Sequence, residues 1–314
     1  MTEQQSAADV LMIRPANFAA NPQTAATNHF QQTTIADTRT LQSAAAAEFD
    51  GLAAALTTAG VRVHVAQDTA MPVKPDAIFP NNWFSTHADG TLVLYPMLAE
   101  NRRLERRLDL IQTLAAQEGF KISRTVDFTP HERQGEFLEG TGSLVLDRVN
   151  RYAYACLSPR TDLNVLGEFA QQLDYELVAF EASDRSGMPL YHTNVLMCIG
   201  TRFAALCSAA IRDAERSAVL EILQSTGHEI VDLTYAQLEG FAGNMLELRD
   251  NRGAPLIALS ASALEVLEPQ QRAALTRLSG PLISAPIPTI EKFGGGSVRC
   301  MLAEILLPKR QVRL

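Results

Sequence analysis

The chain has 314 residues, 46% apolar and 20% charged, a balance that suits a globular protein of one or two domains with a sizeable core. Its net charge of −8 disfavours nucleic acid and anionic membrane as partners, and no run of roughly 18 apolar residues is present to cross a bilayer. The opening MTEQQSAADV lacks the basic-then-apolar pattern of a secretion signal, so cytoplasmic residence is expected.

In chain order, the pattern predicts a strand in VLMIRPA (10–16), a helix from Leu41 to Thr58 and a strand from Val61 to Val65. Residues 83–98 read as a hairpin turning at Ala88-Asp89-Gly90. A helix follows from Glu100 to Gln117, with Leu104, Leu108, Ile111, Leu114 and Ala115 on one face, then a strand from Lys121 to Val126. The same order returns three times. Residues 142–158 turn near Asp147 to Asn150 and lead to a helix at about 161–173 and a strand from Glu176 to Phe180. Residues 194–209 turn at Gly200-Thr201, before a helix from Ala214 to Gln224 and a strand from Glu229 to Leu233. Residues 244–260 turn at Asp250 to Gly253, before a helix from Ala263 to Leu278 and a strand from Leu282 to Pro286. MLAEILLP (301–308) supplies a last strand, whose hairpin partner would be residues 10–16 at the other end of the chain.

The predicted fold is therefore α/β: five strand–strand–helix–strand units in a propeller, one catalytic domain over 1–314 whose ring is closed by the N- and C-terminal strands. Repeats of this period suit propellers, and closure removes exposed sheet edges. An ordinary mixed α/β fold with evenly spaced hairpins is the alternative.

Just before the first strand of each unit stand Asn82, Glu139, Asn194, Asn244 and Cys300, with gaps of 57, 55, 50 and 56 residues. Repetition puts equivalent residues in equivalent places, so in a closed ring all five converge on the axis, with His192 beside them. Singly, each has a plainer reading: Asn244 as a turn former, Glu139-Gly140 as a solvated loop, His192 as a structural histidine. Cys156, Cys198 and Cys207 lie in apolar strand-like runs and read as buried small hydrophobes. Gly294 to Ser297 lacks the Lys-Ser/Thr pair of a phosphate loop and better suits close backbone approach to a substrate. No histidine pair has metal-ligand spacing, and neither metal nor cofactor is expected. Arg102, Arg103 and Arg160 read as helix-surface charges. Asn17 to Thr38 and Gln134 to Leu138 are candidate lids.

Phe79-Pro80-Asn81-Asn82, Glu139-Gly140-Thr141-Gly142, His192-Thr193-Asn194 and Gly294 to Met301 resemble the pentein superfamily of guanidino-group-modifying enzymes. That superfamily includes arginine deiminase, dimethylarginine hydrolase, amidinotransferases and succinylarginine dihydrolase. The chain is similar above all to the bacterial CtlX branch, associated with citrulline hydrolysis. The resemblance implies a five-bladed α/β propeller, Cys300 as nucleophile, His192 as general acid/base and Glu139 as its supporting carboxylate. It implies that Asn82 and Asn194 hold the reactive head of the substrate. Asn244 and Phe79 complete the candidate substrate-binding set.

Deiminases carry aspartate where this chain has Asn82 and Asn194. A guanidinium offers only donors and suits carboxylates, whereas a ureido group offers a carbonyl and N–H groups and suits amides. The expected activity is cysteine-dependent hydrolysis of a C–N bond, citrulline going to ornithine, ammonia and carbon dioxide. Arginine deiminase or dihydrolase is the nearest alternative, and a non-catalytic amino-acid-binding protein the alternative of another class. The expected partners are a small-molecule substrate, citrulline or an arginine derivative, and a possible homodimer. A neutral ureido group brings no cation to stabilise a thiolate, a task that would fall to protonated His192, with Arg299 expected to point away.

Overall fold

The computed structural model describes residues 4–32 and 38–310. Among them are five three-stranded sheets built to one pattern, in which the first strand runs antiparallel to the second and the second parallel to the third. In chain order they are Phe84–Thr86, Thr91–Leu94 and Arg124–Asp127, then Val145–Asp147, Tyr152–Cys156 and Glu176–Phe180. Next come Met197–Ile199, Phe203–Leu206 and Glu229–Asp232, and Leu246–Arg249, Pro255–Ser260 and Leu282–Ala285. The fifth joins the two ends of the chain: Ala303–Ile305 pairs antiparallel with Asp9–Arg14, which pairs parallel with Arg62–Gln67. First strands of neighbouring sheets approach one another, as at Ala303–Ile305 against Phe84–Thr86 and Val145–Asp147 against Met197–Ile199. This is the α/β five-bladed pentein propeller, with the split fifth blade that the sequence pattern predicts.

The reason these segments form blades is visible in their burial. The first strands are short and buried throughout, apart from Arg249 at one end, whereas the third strands keep most of their residues exposed or half-buried. The middle strands, paired on both sides, read as near-continuous apolar runs, as in Phe203–Leu206 and Pro255–Ser260, and the third strands form a half-exposed outer ribbon. Gly90, at φ 87°, turns the first hairpin, and a Cβ there would lie 2.4 Å from Ser123 Oγ. The helix Thr38–Thr58 buries Leu41, Ala45, Phe49, Leu52 and Leu56, a three-to-four-residue spacing that gives one apolar face. That face joins Val10, Met12 and Ile290 in one core cluster.

Three departures from the predicted elements matter. The helix expected from Glu100 to Gln117 is two, Glu100–Arg103 and Leu108–Glu118, and Leu104 and Leu108 are exposed rather than core. The short first helix turns Arg102 inward, and Arg106 pairs with Glu132 in the break. The helix expected from Ala263 to Leu278 is also two, because Pro269 starts Pro269–Leu278 behind a capping box of Glu268 and Gln271. Finally, the residues before the first strands are not straight lead-ins. They form single helical turns, Pro80–Asn82, Gly140–Ser143, Thr193–Leu196 and Val298–Met301. No helix among the described residues is long and apolar enough to cross a membrane.

Phe49 is fully buried in the fifth blade's cluster. Phe49→Ala is expected to lower unfolding free energy by about 3–5 kcal/mol, measured by urea denaturation.

Candidate active site

The single turns explain why the polar residues gather. Each turn ends a loop at the mouth of a blade and tips one side chain toward the axis. Space there is tight enough to demand glycine. A Cβ on Gly142 would sit 2.3 Å from Asn82 Nδ2 and 2.6 Å from His192 Nδ1, and one on Gly294 would meet the Phe79 ring at 2.7 Å. Gly295, at φ 64°, ends the helix Pro288–Gly294, and its carbonyl accepts from Tyr191 Oη at 2.5 Å.

The turns enclose a cavity of about 270 Å³, lined by Phe79, Asn82, His192, the Gly294–Gly296 backbone and Cys300, with Thr24, Asn28, Asp76, Arg102, Arg160 and Tyr191. Cys300 Sγ has two amide nitrogens at 3.4 Å, Asn194 Nδ2 and Asn244 Nδ2. Opposite, Glu139 Oε2 lies 2.8 Å from His192 Nε2. All seven candidate residues named from the sequence therefore belong to one site.

Glu139 is fully buried. Burial pushes its carboxyl up, but Arg160, His192 and Arg102 outweigh that and hold it well below the usual carboxylate range. Arg160 Nη1 donates to Oε2 at 3.4 Å, Arg102 Nη1 lies 3.8 Å from it, and the Leu98 N–H donates to Oε1. An ionised carboxylate can only accept, so Nε2 of His192 carries the proton and Nδ1 is left as a base. Burial, only partly opposed by Glu139, lowers the His192 pKa from 6.5 to about 4. The imidazole is thus neutral at neutral pH, contrary to the expected protonated form.

Arg102 and Arg160 correct the reading of surface charges. Each is only 2% exposed. Arg102 forms a two-pronged pair with Glu105 and donates to Asn82 Oδ1 at 2.9 Å. Arg160 donates to Thr27 Oγ1 and the Thr24 carbonyl, and lies over the Tyr191 ring. Arg103 stays outside the cavity, donating to the Met97 and Leu98 carbonyls. Asp76, not singled out in the sequence, also lines the cavity. Its Oδ2 accepts from Asn21 Nδ2 and Thr24 Oγ1, whereas its buried Oδ1 has no partner among the described residues. No repeat position marks Asp76, and no spacing rule would have found it.

Arg299 turns away, as expected, donating to Glu304 Oε2 and the Leu302 carbonyl. Cys156, Cys198 and Cys207 are buried, as expected of small hydrophobes. Of the first candidate lid, Thr24 and Asn28 line the cavity, while residues 33–37 lie outside the described residues. The second, Gln134 to Leu138, is tied down through the bonds of Leu138 N to Pro96 O and Asp162 N to Phe137 O. Among the described residues no group of three or more His, Cys, Asp or Glu side chains is placed to hold a metal ion.

Over residues 14–307 the sequence matches the family described as N,N dimethylarginine dimethylhydrolase, eukaryotic. The chain belongs to the dimethylarginine dimethylhydrolase family. It is accordingly an enzyme of the guanidino-group-modifying hydrolases, acting on C–N bonds, and the binding-protein alternative gives way. No curated protein matches it by sequence. Solved structures share the fold at low identity. The substrate-bound N-terminal domain of ArgZ, an arginine dihydrolase from the ornithine–ammonia cycle in cyanobacteria, superposes with a TM-score of 0.71 at 17% identity, over 95% of this chain and 99% of that one. The ternary complex of AgrE with ornithine and NAD+ gives a TM-score of 0.70 at 16% identity, over 96% of this chain but 40% of that one. A dimethylarginine dimethylaminohydrolase adduct with S-methyl-L-thiocitrulline gives 0.63 at 13% identity, over 95% of this chain and 99% of that one.

The lowered pKa of His192 has a stability consequence. An unfolded histidine takes up its proton near 6.5, the folded one only near 4, so the unfolded state binds more protons in between. Stability of this family member should fall as pH drops from 6.5 toward 4. In His192→Gln the fall over that window should be shallower, read as melting temperature against pH. Equal slopes would contradict a histidine held neutral by burial.

Proposed function

We propose that this enzyme hydrolyses a ureido amino acid, with citrulline giving ornithine, ammonia and carbon dioxide, through one catalytic domain spanning 1–314. The observation that carries the reading is the orientation of two side-chain amides. Arg102 can only donate, so Asn82 must turn its oxygen to Arg102 and its Nδ2 away. That nitrogen is buried without a partner among the described residues. Asn194 directs its nitrogen to Cys300 Sγ, and its buried Oδ1 likewise has no partner. The two amides thus leave an unused donor on Asn82 in the cavity lining and an unused acceptor on Asn194 beside the thiol. A ureido carbonyl and N–H complement that pair, whereas a guanidinium would set its donors against Asn82 Nδ2. The citrulline hydrolysis implied by the CtlX resemblance is the same reading.

Cys300 is the nucleophile. Its sulfur attacks the ureido carbon while Nδ1 of His192 takes the thiol proton, and a side-chain amide donates to the oxygen as it gains charge. The imidazolium, stabilised by Glu139, passes the proton to the departing δ-nitrogen, and ornithine leaves. His192 then takes a proton from water as the oxygen attacks the S-carbamoyl group. Carbamate leaves, the sulfur is regenerated, and carbamate decays to ammonia and carbon dioxide. Asp76 Oδ1 suits the α-ammonium group of the amino-acid end. Arg160, with one of its five N–H groups unassigned, suits the carboxylate. Phe79 packs beside the glycine run that approaches the substrate.

An arginine dihydrolase is the second reading, favoured by the shared fold with ArgZ and by the acidic Asp76 in the cavity. The two readings separate in a product assay with L-citrulline and L-arginine, measuring ornithine, citrulline and ammonia. Citrulline should yield ornithine and arginine should not. Cys300→Ala should abolish turnover, and His192→Ala should lower it by roughly 10²–10⁴-fold while both proteins stay folded. Ornithine from both substrates would support the dihydrolase, and citrulline accumulating from arginine a deiminase. In the double variant Asn82→Asp, Asn194→Asp, preference should move toward arginine, and no gain would count against the amide argument.

A further inference from the structure

A neutral substrate leaves open what stabilises the sulfur anion. Charged groups around Cys300 do not supply a dedicated cation. From the 139–143 turn comes Glu139, an anion, and from the adjoining 191–196 segment His192, neutral at neutral pH, and Tyr191, whose phenol burial keeps well above its usual pKa. Arg102 is committed to Glu105 and Asn82, and Arg160 to Glu139, Thr24 and Thr27. Asp76 faces the cavity from the 74–79 loop, and Glu291 accepts from Ser297 Oγ at 2.6 Å. On the cysteine's own turn, Arg299 is paired with Glu304.

The groups hydrogen-bonded to the sulfur are instead amides, and that of Asn244 is fixed in orientation. Its Oδ1 accepts the Arg299 backbone N–H at 3.1 Å, a group that can only donate. Its Nδ2 therefore faces away, donating to the Asn194 carbonyl at 2.8 Å and to Sγ at 3.4 Å. A protonated thiol could donate to Asn244 Oδ1 only at 3.7 Å. The amide is thus closer and better disposed toward an anionic sulfur than toward a thiol, and Asn194 Nδ2 adds a second donor at 3.4 Å.

We infer that Asn244 is a catalytic residue that, with Asn194, stabilises the Cys300 sulfur by donating to it as His192 takes its proton, so that the protein's own amides replace the cationic help a charged substrate would bring. The inference rests on Cys300 being the nucleophile. It reassigns Asn244 from the substrate to the sulfur. The Asn244 turn is also a structural tie, through Asn194 O and Arg299 N, so the test must separate charge from scaffolding. Asn244→Asp keeps the acceptor for Arg299 N but sets a negative oxygen against the sulfur. Asn244→Ala loses more contacts but adds no charge.

The experiment follows iodoacetamide alkylation of Cys300 against pH, mapped by mass spectrometry, together with kcat and KM for L-citrulline and melting temperature. In Asn244→Ala the midpoint of the alkylation curve should rise by roughly one pH unit, with a fall in kcat larger than any change in KM. In Asn244→Asp it should rise further, even though that variant retains more of the tie. An unmoved midpoint in both, or a larger shift in Ala than in Asp, would overturn the inference while leaving wild-type turnover as evidence for the nucleophile. Should both variants fail to fold, Asn194→Ala carries the test, since it removes the other donor, and an unmoved midpoint there has the same force. A wild-type enzyme with neither turnover nor alkylation at Cys300 would defeat the reading of the site and this inference with it.

Discussion

Glu139 sits at zero exposure with a histidine on one oxygen and two arginines close by. A carboxylate taken that far from water stays ionised only if its surroundings return what solvation gave it. That requirement explains why Arg102 and Arg160 are buried, why a short helix interrupts the expected long one, and why His192 is held in one tautomer. The same pair sets the working state of the imidazole. Neutral, with Nε2–H on the carboxylate, it is ready to accept a proton at Nδ1, and Glu139 stabilises the imidazolium that forms transiently.

From that pair the polarity of the cavity follows outward. Arg102, fixed by Glu105 and Glu139, forces the orientation of the Asn82 amide. The Arg299 N–H forces that of Asn244, and Asn244 in turn holds the Asn194 carbonyl. Each amide is set by a group that cannot reverse its own role, so the donors and acceptors left for a substrate are determined by the scaffold. Such preorganisation in a closed, low-dielectric site is where electrostatic stabilisation of a transition state is largest.

The glycines are the counterpart of this crowding. Gly142 stands where any side chain would displace Asn82 or His192, and Gly294 to Gly296 bring backbone against Phe79 and Cys300. The run that might suggest a phosphate cradle is better explained by close packing, since a Cβ on Gly294 or Gly296 would press on the Phe79 ring.

The blades were legible in the sequence because each is a local unit: alternating apolar runs, a turn signal, a helix and a further strand recur at nearly constant spacing. The repeat also marked Asn82, Glu139, Asn194, Asn244 and Cys300, since equivalent positions in a ring must converge, and the termini had to meet to complete the fifth blade. What the pattern could not contain was anything dependent on partners distant in the chain. Arg102 and Arg160 read as helix-surface charges because local sequence carries no sign of the buried Glu139 that draws them in. Asp76 lies in a loop with no periodic neighbour and is held in the site by Asn21, Thr24 and Arg102, all distant in the chain. The broken helices turned on Pro269 in one case and on long-range arginine pairing in the other. The sequence by itself determined the repeated architecture and the residues at its axis, because both follow from local periodicity. Only the tertiary structure decided which way each amide faces, which arginines are buried and that His192 is neutral, because those depend on desolvation and on hydrogen bonds between residues far apart in the chain.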